Sequence, residues 1–255
     1  MGNTEKQRSL YRTQYPVNWA PNTPMERVKR LRTYFPRLDF DHVEALVESW
    51  GTVPKQSDGG LLIVPKFEAV EKGVLRKKKG WQPFNVATEY LFEVMKEVFP
   101  GFTDFDHSKI GVDDVGPRCM ELFEATRAFL AQYSASVPGD VLVLPLQAGA
   151  LLSAYEPKSA REWTDRSNSH VPADVFSVGC FALTDPTRFA EDALFVDCSG
   201  TKMAWLVQDP RSTAPQSLRT NYLPTLRIEK GKLGFYCHNQ NGNSPWFGSA
   251  SFVLK

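Results

Sequence analysis

Apolar runs long enough to cross a bilayer are missing from these 255 residues. The longest charge-free, strongly apolar stretch, Val141 to Tyr155, is too short and is broken by Pro145, Gln147 and Gly149, so no membrane-spanning helix is expected. Cysteine is scarce too. Cys119, Cys180, Cys198 and Cys237 lie 18 to 61 residues apart with no Cys-x-x-Cys pair, which argues against a disulfide framework and a zinc knuckle. They are expected to be buried, reduced thiols, because Cys180, Cys198 and Cys237 fall in apolar, strand-like runs. Histidine pairs at ligand spacing are absent, and Asp104, Asp106, Asp113 and Asp114 lack the glycine and terminal glutamate of a calcium loop, so they read as an acidic loop. Gly200-Thr201-Lys202 has the wrong order for a phosphate-cradling Walker loop. No Gly-x-Gly-x-x-Gly follows a strand, no Gly-x-Ser-x-Gly occurs, and the nuclease arrangement of an acid followed by Glu-x-Lys on a strand is missing. No metal or cofactor is expected.

Charge imbalance is also lacking, with 30 Lys and Arg against 29 Asp and Glu, but the charges are segregated. Residues 1–37 carry eight cations against two acids, residues 66–80 carry six against two, and residues 89–124 carry nine acids against three bases. Neutrality of the whole therefore conceals local fields. The amino-terminal MGNTEKQRSLYRTQYP has no apolar middle region of a secretory signal, and Lys6 stands where a myristoylation signal needs Ser or Thr. The expected address is the cytoplasm, and residues 1–20 are expected to form a mobile arm.

What is present is a chain of 42% hydrophobic residues, including 17 Phe and 6 Trp, sufficient for a sizeable core. Thr23-Pro24-Met25-Glu26 combines an N-cap hydroxyl, a first-turn proline and a glutamate three residues on, which predicts a helix that Pro36 ends. Asp41 with Glu44 predicts a second helix ending at Gly51, and residues 85–99 form a third amphipathic one. Pro117 is expected to open a long helix lined by Cys119, Leu122, Phe123, Thr126, Leu130 and Tyr133. Leu61 to Val64 reads as a short buried strand. Beyond residue 138 the pattern changes to strands at 141–146, 175–183, 194–198, 203–207, 225–229, 233–237 and 249–254, with hairpin joints at Ser199-Gly200 and Lys230-Gly231. Short helical turns are expected at Ser159 to Glu162 and at Asp185-Pro186, and 208–223 is expected to be an exposed loop. The fold class is α+β: a helix-rich amino-terminal half packed on a largely antiparallel sheet formed mainly by the carboxy-terminal half. Residues 21–255 are expected to make one domain, with a helical layer over 23–136 and the sheet-rich part over 138–255.

Three functional expectations follow. The first is a nucleic-acid-associated accessory protein. Arg76, Lys77, Lys78 and Lys79 would attract a phosphate backbone and Trp81 would stack an unpaired base, which suits single-stranded nucleic acid. The basic first helix would assist. The second is an enzyme or small-ligand protein with a polar site at the sheet edge, where Asp197 and Cys198 precede a Ser-Gly turn, Gln147 follows another strand, and His170 is available as a base. Cys237 and His238 are neighbours in a strand-like run, so their side chains should point to opposite faces. The third is a partner-binding protein whose basic and acidic segments engage another chain or each other.

Overall fold

The computed structural model describes residues 15–16, 18–74, 79–105, 116–152, 157–189, 193, 195–207, 217–241 and 247–254. Its helices are α1 (Pro24–Tyr34), α2 (Val43–Trp50), α3 (Phe67–Gly73), α4 (Pro83–Val98), α5 (Glu124–Ser136), α6 (Pro157–Ser167) and α7 (Val175–Thr184). The strands are β1 (Leu61–Pro65), β2 (Thr103–Asp104), β3 (Met120–Leu122), β4 (Val141–Gln147), β5 (His170–Pro172), β6 (Phe195–Asp197), β7 (Thr201–Val207), β8 (Ser217–Glu229), β9 (Lys232–Asn239), β10 (Phe247–Ser249) and β11 (Ser251–Val253). This is an α+β fold, helix-rich first and strand-rich later, with mainly antiparallel pairing. None of the described helices is long and apolar enough to cross a membrane.

Two sheets form. A four-stranded antiparallel sheet runs β1-β4-β11-β5, and a seven-stranded sheet runs β10-β6-β8-β7-β3, with β9 against β8 and β2 against β9. The run 249–254, expected as one strand, is divided between them: β10 lies parallel to β6, and after Ala250 the chain enters the other sheet as β11. The Ala250 amide still donates to Asp197 O, at 3.1 Å, so one short segment fastens the sheets together.

The main correction concerns residues 175–183, which are the helix α7 and not a strand. All ten residues of α7 are buried, so it carries no amphipathic period, and its Val, Phe and Cys content imitates a buried strand. Its start is set by Asp174, whose carboxylate accepts Phe176 N at 2.9 Å, Ser177 N at 3.0 Å and the Ser177 hydroxyl at 2.7 Å. A Cβ on Gly179 would meet Leu91 Cδ2 of α4 at 2.3 Å, so glycine permits the close approach of these two helices.

Pro117 does not open a long helix. Residues 117–119 make a single 3-10 turn, β3 pairs with β7, and α5 begins only at Glu124, because sheet pairing outweighs helical spacing in that run. The α1 capping box forms as expected, with Glu26 N on the Thr23 hydroxyl and Thr23 N on the Glu26 carboxylate. At α2 the N-cap is His42 without a side-chain bond, while Asp39 accepts Asp41 N. The basic 66–80 segment contains α3, the turn at Ser159 extends into the eleven-residue α6, and 217–223 belongs to β8; residues 208–216 lie outside the described set.

Buried charge fixes the first helix to the core. Arg27 is fully buried, pairs with Asp185 at 2.8 Å and donates to Leu61 O and Gly59 O at 2.6 and 2.7 Å. Tyr15 is also docked: its hydroxyl donates to Asp58, and the Arg188 guanidinium lies 4.5 Å over its ring. Burial pulls the Arg188 pKa down to about 10.

Candidate functional site

The seven-stranded sheet packs one face on helix α4, where Phe235 stacks on Phe92 at 5.1 Å, and a second set of side chains shares the opposite face. Strand alternation decides which side chains reach the outer face. Asp197 is opposite Thr225 of β8 and Ser249 of β10, so these three share a face, joined two residues away by Phe195 and Phe247. In β9, Tyr236 opposite Thr225 and His238 opposite Leu223 join them. These residues meet. His238 Nδ1 is 3.1 Å from Asp197 Oδ1 and 3.3 Å from Oδ2, and the Thr225 hydroxyl donates to the same carboxylate. The His238 ring stacks on Phe247 at 3.9 Å, and Phe247 packs edge-on against Phe195 at 5.3 Å. The Arg227 guanidinium lies 4.1 Å over Tyr236 and 5.4 Å over Phe195 and is tied to Glu229 at 2.7 Å.

The electrostatics of this cluster are dominated by desolvation. Asp197 is 1% exposed, and burial raises its carboxyl pKa, while the contact with His238 and the Thr225 hydroxyl act in the opposite direction. The His238 side chain keeps 14% of its surface open, so a buried acid is wired to a base that solvent reaches. The Ser249 hydroxyl, opposite Asp197, is buried and has no hydrogen-bond partner among the described residues.

Gln147 lies nearby, across the junction of the two sheets. Its amide oxygen accepts the N–H groups of Gly149, Ala150 and Leu151 at 2.9, 2.8 and 2.8 Å, and its nitrogen donates to Ser249 O at 3.0 Å. The residue is fully buried and its amide is occupied by backbone, so it shapes the 149–151 turn and holds β10.

Cys198 follows Asp197 but is fully buried, and burial, then the Asp197 and Asp174 charges, push its thiol pKa well up. His170 is separate from both. It lies in the other sheet opposite Val253, with Nδ1 2.9 Å from the Ser169 hydroxyl, its ring 5.1 Å from Trp163, and a buried Nε2 that has no partner among the described residues; burial lowers its pKa. Cys237 faces away from its neighbour His238, with its sulfur 3.5 Å from that of Met203, and burial pushes its thiol pKa up to about 12.

Of the basic cluster, Arg76, Lys77 and Lys78 lie outside the described residues, as do Asp106, Asp113 and Asp114 of the acidic loop. Lys79 and Trp81 are described and line a concavity of about 530 Å³ together with Gly80, Asn85 and Arg118. Asp104 pairs with Lys96 at 2.9 Å. Among the described residues no three His, Cys, Asp or Glu side chains gather as metal ligands.

Sequence reasoning named Asp197 and did not join it to His238 or Thr225. The Lys230-Gly231 hairpin was the available signal. Once Glu229 is set opposite Lys232, the register places Thr225, Tyr236 and His238 on one face. Compared with family models, curated proteins and solved structures, the chain has no significant match.

Proposed function

We propose that the outer face of the seven-stranded sheet is the active site of an acid–base enzyme in which His238, oriented by Asp197, transfers protons to and from a bound ligand. The observation that carries this reading is a desolvated carboxylate 3.1 Å from Nδ1 of a partly open imidazole. A carboxylate so placed accepts the Nδ1 proton and leaves the Nε2 lone pair as the base. When Nε2 takes a proton from water or a ligand hydroxyl, the imidazolium forms beside the Asp197 charge. That charge favours the imidazolium at the moment it forms, and the same nitrogen can return the proton to a leaving group. Phe247 holds the ring from behind. Phe195, Tyr236 and Arg227 offer apolar and cationic surface for the ligand, and the Ser249 hydroxyl, without a partner among the described residues, offers a hydrogen bond.

The test uses diethylpyrocarbonate, which acylates an unprotonated imidazole nitrogen, with mass-spectrometric mapping of the folded protein. His42 is exposed and serves as internal reference. His238 should react at least as fast as His42 despite its partial burial, and Asp197→Asn should slow it several-fold. Protection of His238 until unfolding would leave the pair as a packing feature and end the proposal.

A further inference from the structure

We propose that Lys66, in the link between β1 and α3, is an acylation site: its amine takes short acyl groups from acyl phosphates and lodges them in the crevice between α3 and α5. This site does not rest on the acid–base pair of the sheet. Lys66 Nζ donates to Ser134 O at 2.9 Å and to Val137 O at 2.7 Å, carbonyls at the end of α5. Those bonds use two N–H groups. An ammonium has three and a neutral amine two, so both bonds survive the loss of one proton, and the lone pair then lies on the side away from the two carbonyls. No third acceptor for Nζ occurs among the described residues.

The crevice that Lys66 lines has a volume of about 90 Å³ and apolar walls from Phe67, Leu122, Leu130, Ala131 and Leu142. That is room for a short acyl group. Lys66 is half-buried, so its amine is partly desolvated without being sealed off. Burial lowers its pKa from 10.5, while Asp140 and Glu68 act in the opposite direction; Arg127, also on the crevice wall, is paired with Glu124. Desolvation against apolar surface is one of the ways a protein activates a lysine amine. In the step, Nζ attacks the acyl carbon and the C–N bond forms. The bond from that carbon to the phosphate oxygen breaks, inorganic phosphate leaves with the electron pair, and water takes the amine proton. The amide product keeps one N–H, so one of the two carbonyl bonds remains and the end of α5 loses its cation.

The experiment incubates the full chain with acetyl phosphate near pH 8 and follows the acetylation rate of each lysine by peptide mass spectrometry, with the exposed Lys29 and Lys55 as internal references. Lys66 should be acetylated several-fold faster than either reference in the folded protein, and the preference should vanish in urea. Ala131→Leu, at an exposed position of α5, fills the crevice without touching the amine and should slow Lys66 several-fold while leaving Lys29 and Lys55 unchanged. Circular dichroism melting would establish that the variant is folded. A Lys66 rate no greater than that of the references, a preference that persists in urea, or an unchanged Lys66 rate in folded Ala131→Leu would each overturn the assignment.

Discussion

His238 Nδ1 and Asp197 Oδ1 lie 3.1 Å apart although 41 residues separate them in the chain, and the Thr225 hydroxyl reaches the same carboxylate from the strand between them. The carboxylate has left water and these are its side-chain partners among the described residues, so each should be costly to remove.

Thr225→Val keeps the shape and deletes the donor. It should destabilise the fold by about 1.5–3 kcal/mol, the range for a hydrogen bond to a charged group, while Thr225→Ser should cost much less. The Asp197 pKa is raised in the folded state, so its contribution to stability is complete below the ordinary carboxyl value and is lost as pH rises through the folded value. Removing Thr225 raises it further. The deficit in urea denaturation should therefore be larger at pH 7 than at pH 4, and an equal deficit at both would show that the hydroxyl does not act on the charge.

Thiol labelling should divide the cysteines by burial. Cys180 and Cys198 are fully buried with thiol pKa values pushed well up, and Cys237 is raised to about 12. In the folded protein, iodoacetamide at pH 8 should modify Cys119 first and leave Cys180 and Cys198 untouched until global unfolding. Fast alkylation of Cys198 would reinstate it as a nucleophile.

His170 should make the protein acid-sensitive. Burial lowers its pKa from 6.5, so as pH falls below that value the unfolded chain takes up a proton that the folded chain refuses. The stability it contributes is present above about pH 6.5 and is lost as pH falls through the lower folded value. His170→Phe, which keeps a ring against Trp163, should flatten the stability profile from pH 6.5 to 5 relative to the parent. Parallel profiles in thermal melts would refute this.

Arg27 and Asp185 should behave as a coupled buried pair. Arg27→Met leaves Asp185 buried without its cation and should cost about 3–5 kcal/mol. The double change Arg27→Met, Asp185→Leu should cost clearly less than the two single changes added together. Additive losses in denaturant titrations would mean that the two side chains contribute separately.

The capped, amphipathic elements were legible from sequence because their signals are local: the Thr23 to Glu26 box, the apolar face of α4, and the turn at Lys230-Gly231. Residues 175–183 read as a strand because total burial erases the helical period. The acid–base cluster was half legible. Asp197 stood out at a strand end, yet its link to His238 depends on β8 lying between β6 and β9, an order that no short-range pattern encodes.

The segment from Phe247 to Val253 has a further consequence for how the chain matures. β4 finds its second neighbour in β11, with Gln147 and Ser251 104 residues apart, and β6 gains its outer neighbour from β10 in the same stretch. On a translating ribosome both strands would emerge before residues 247–253 and wait with bare edges, a condition open to mispairing with other nascent chains. Both edges close together once residues 247–253 arrive, so assembly of the two sheets becomes a single late event that protects two vulnerable strands at once.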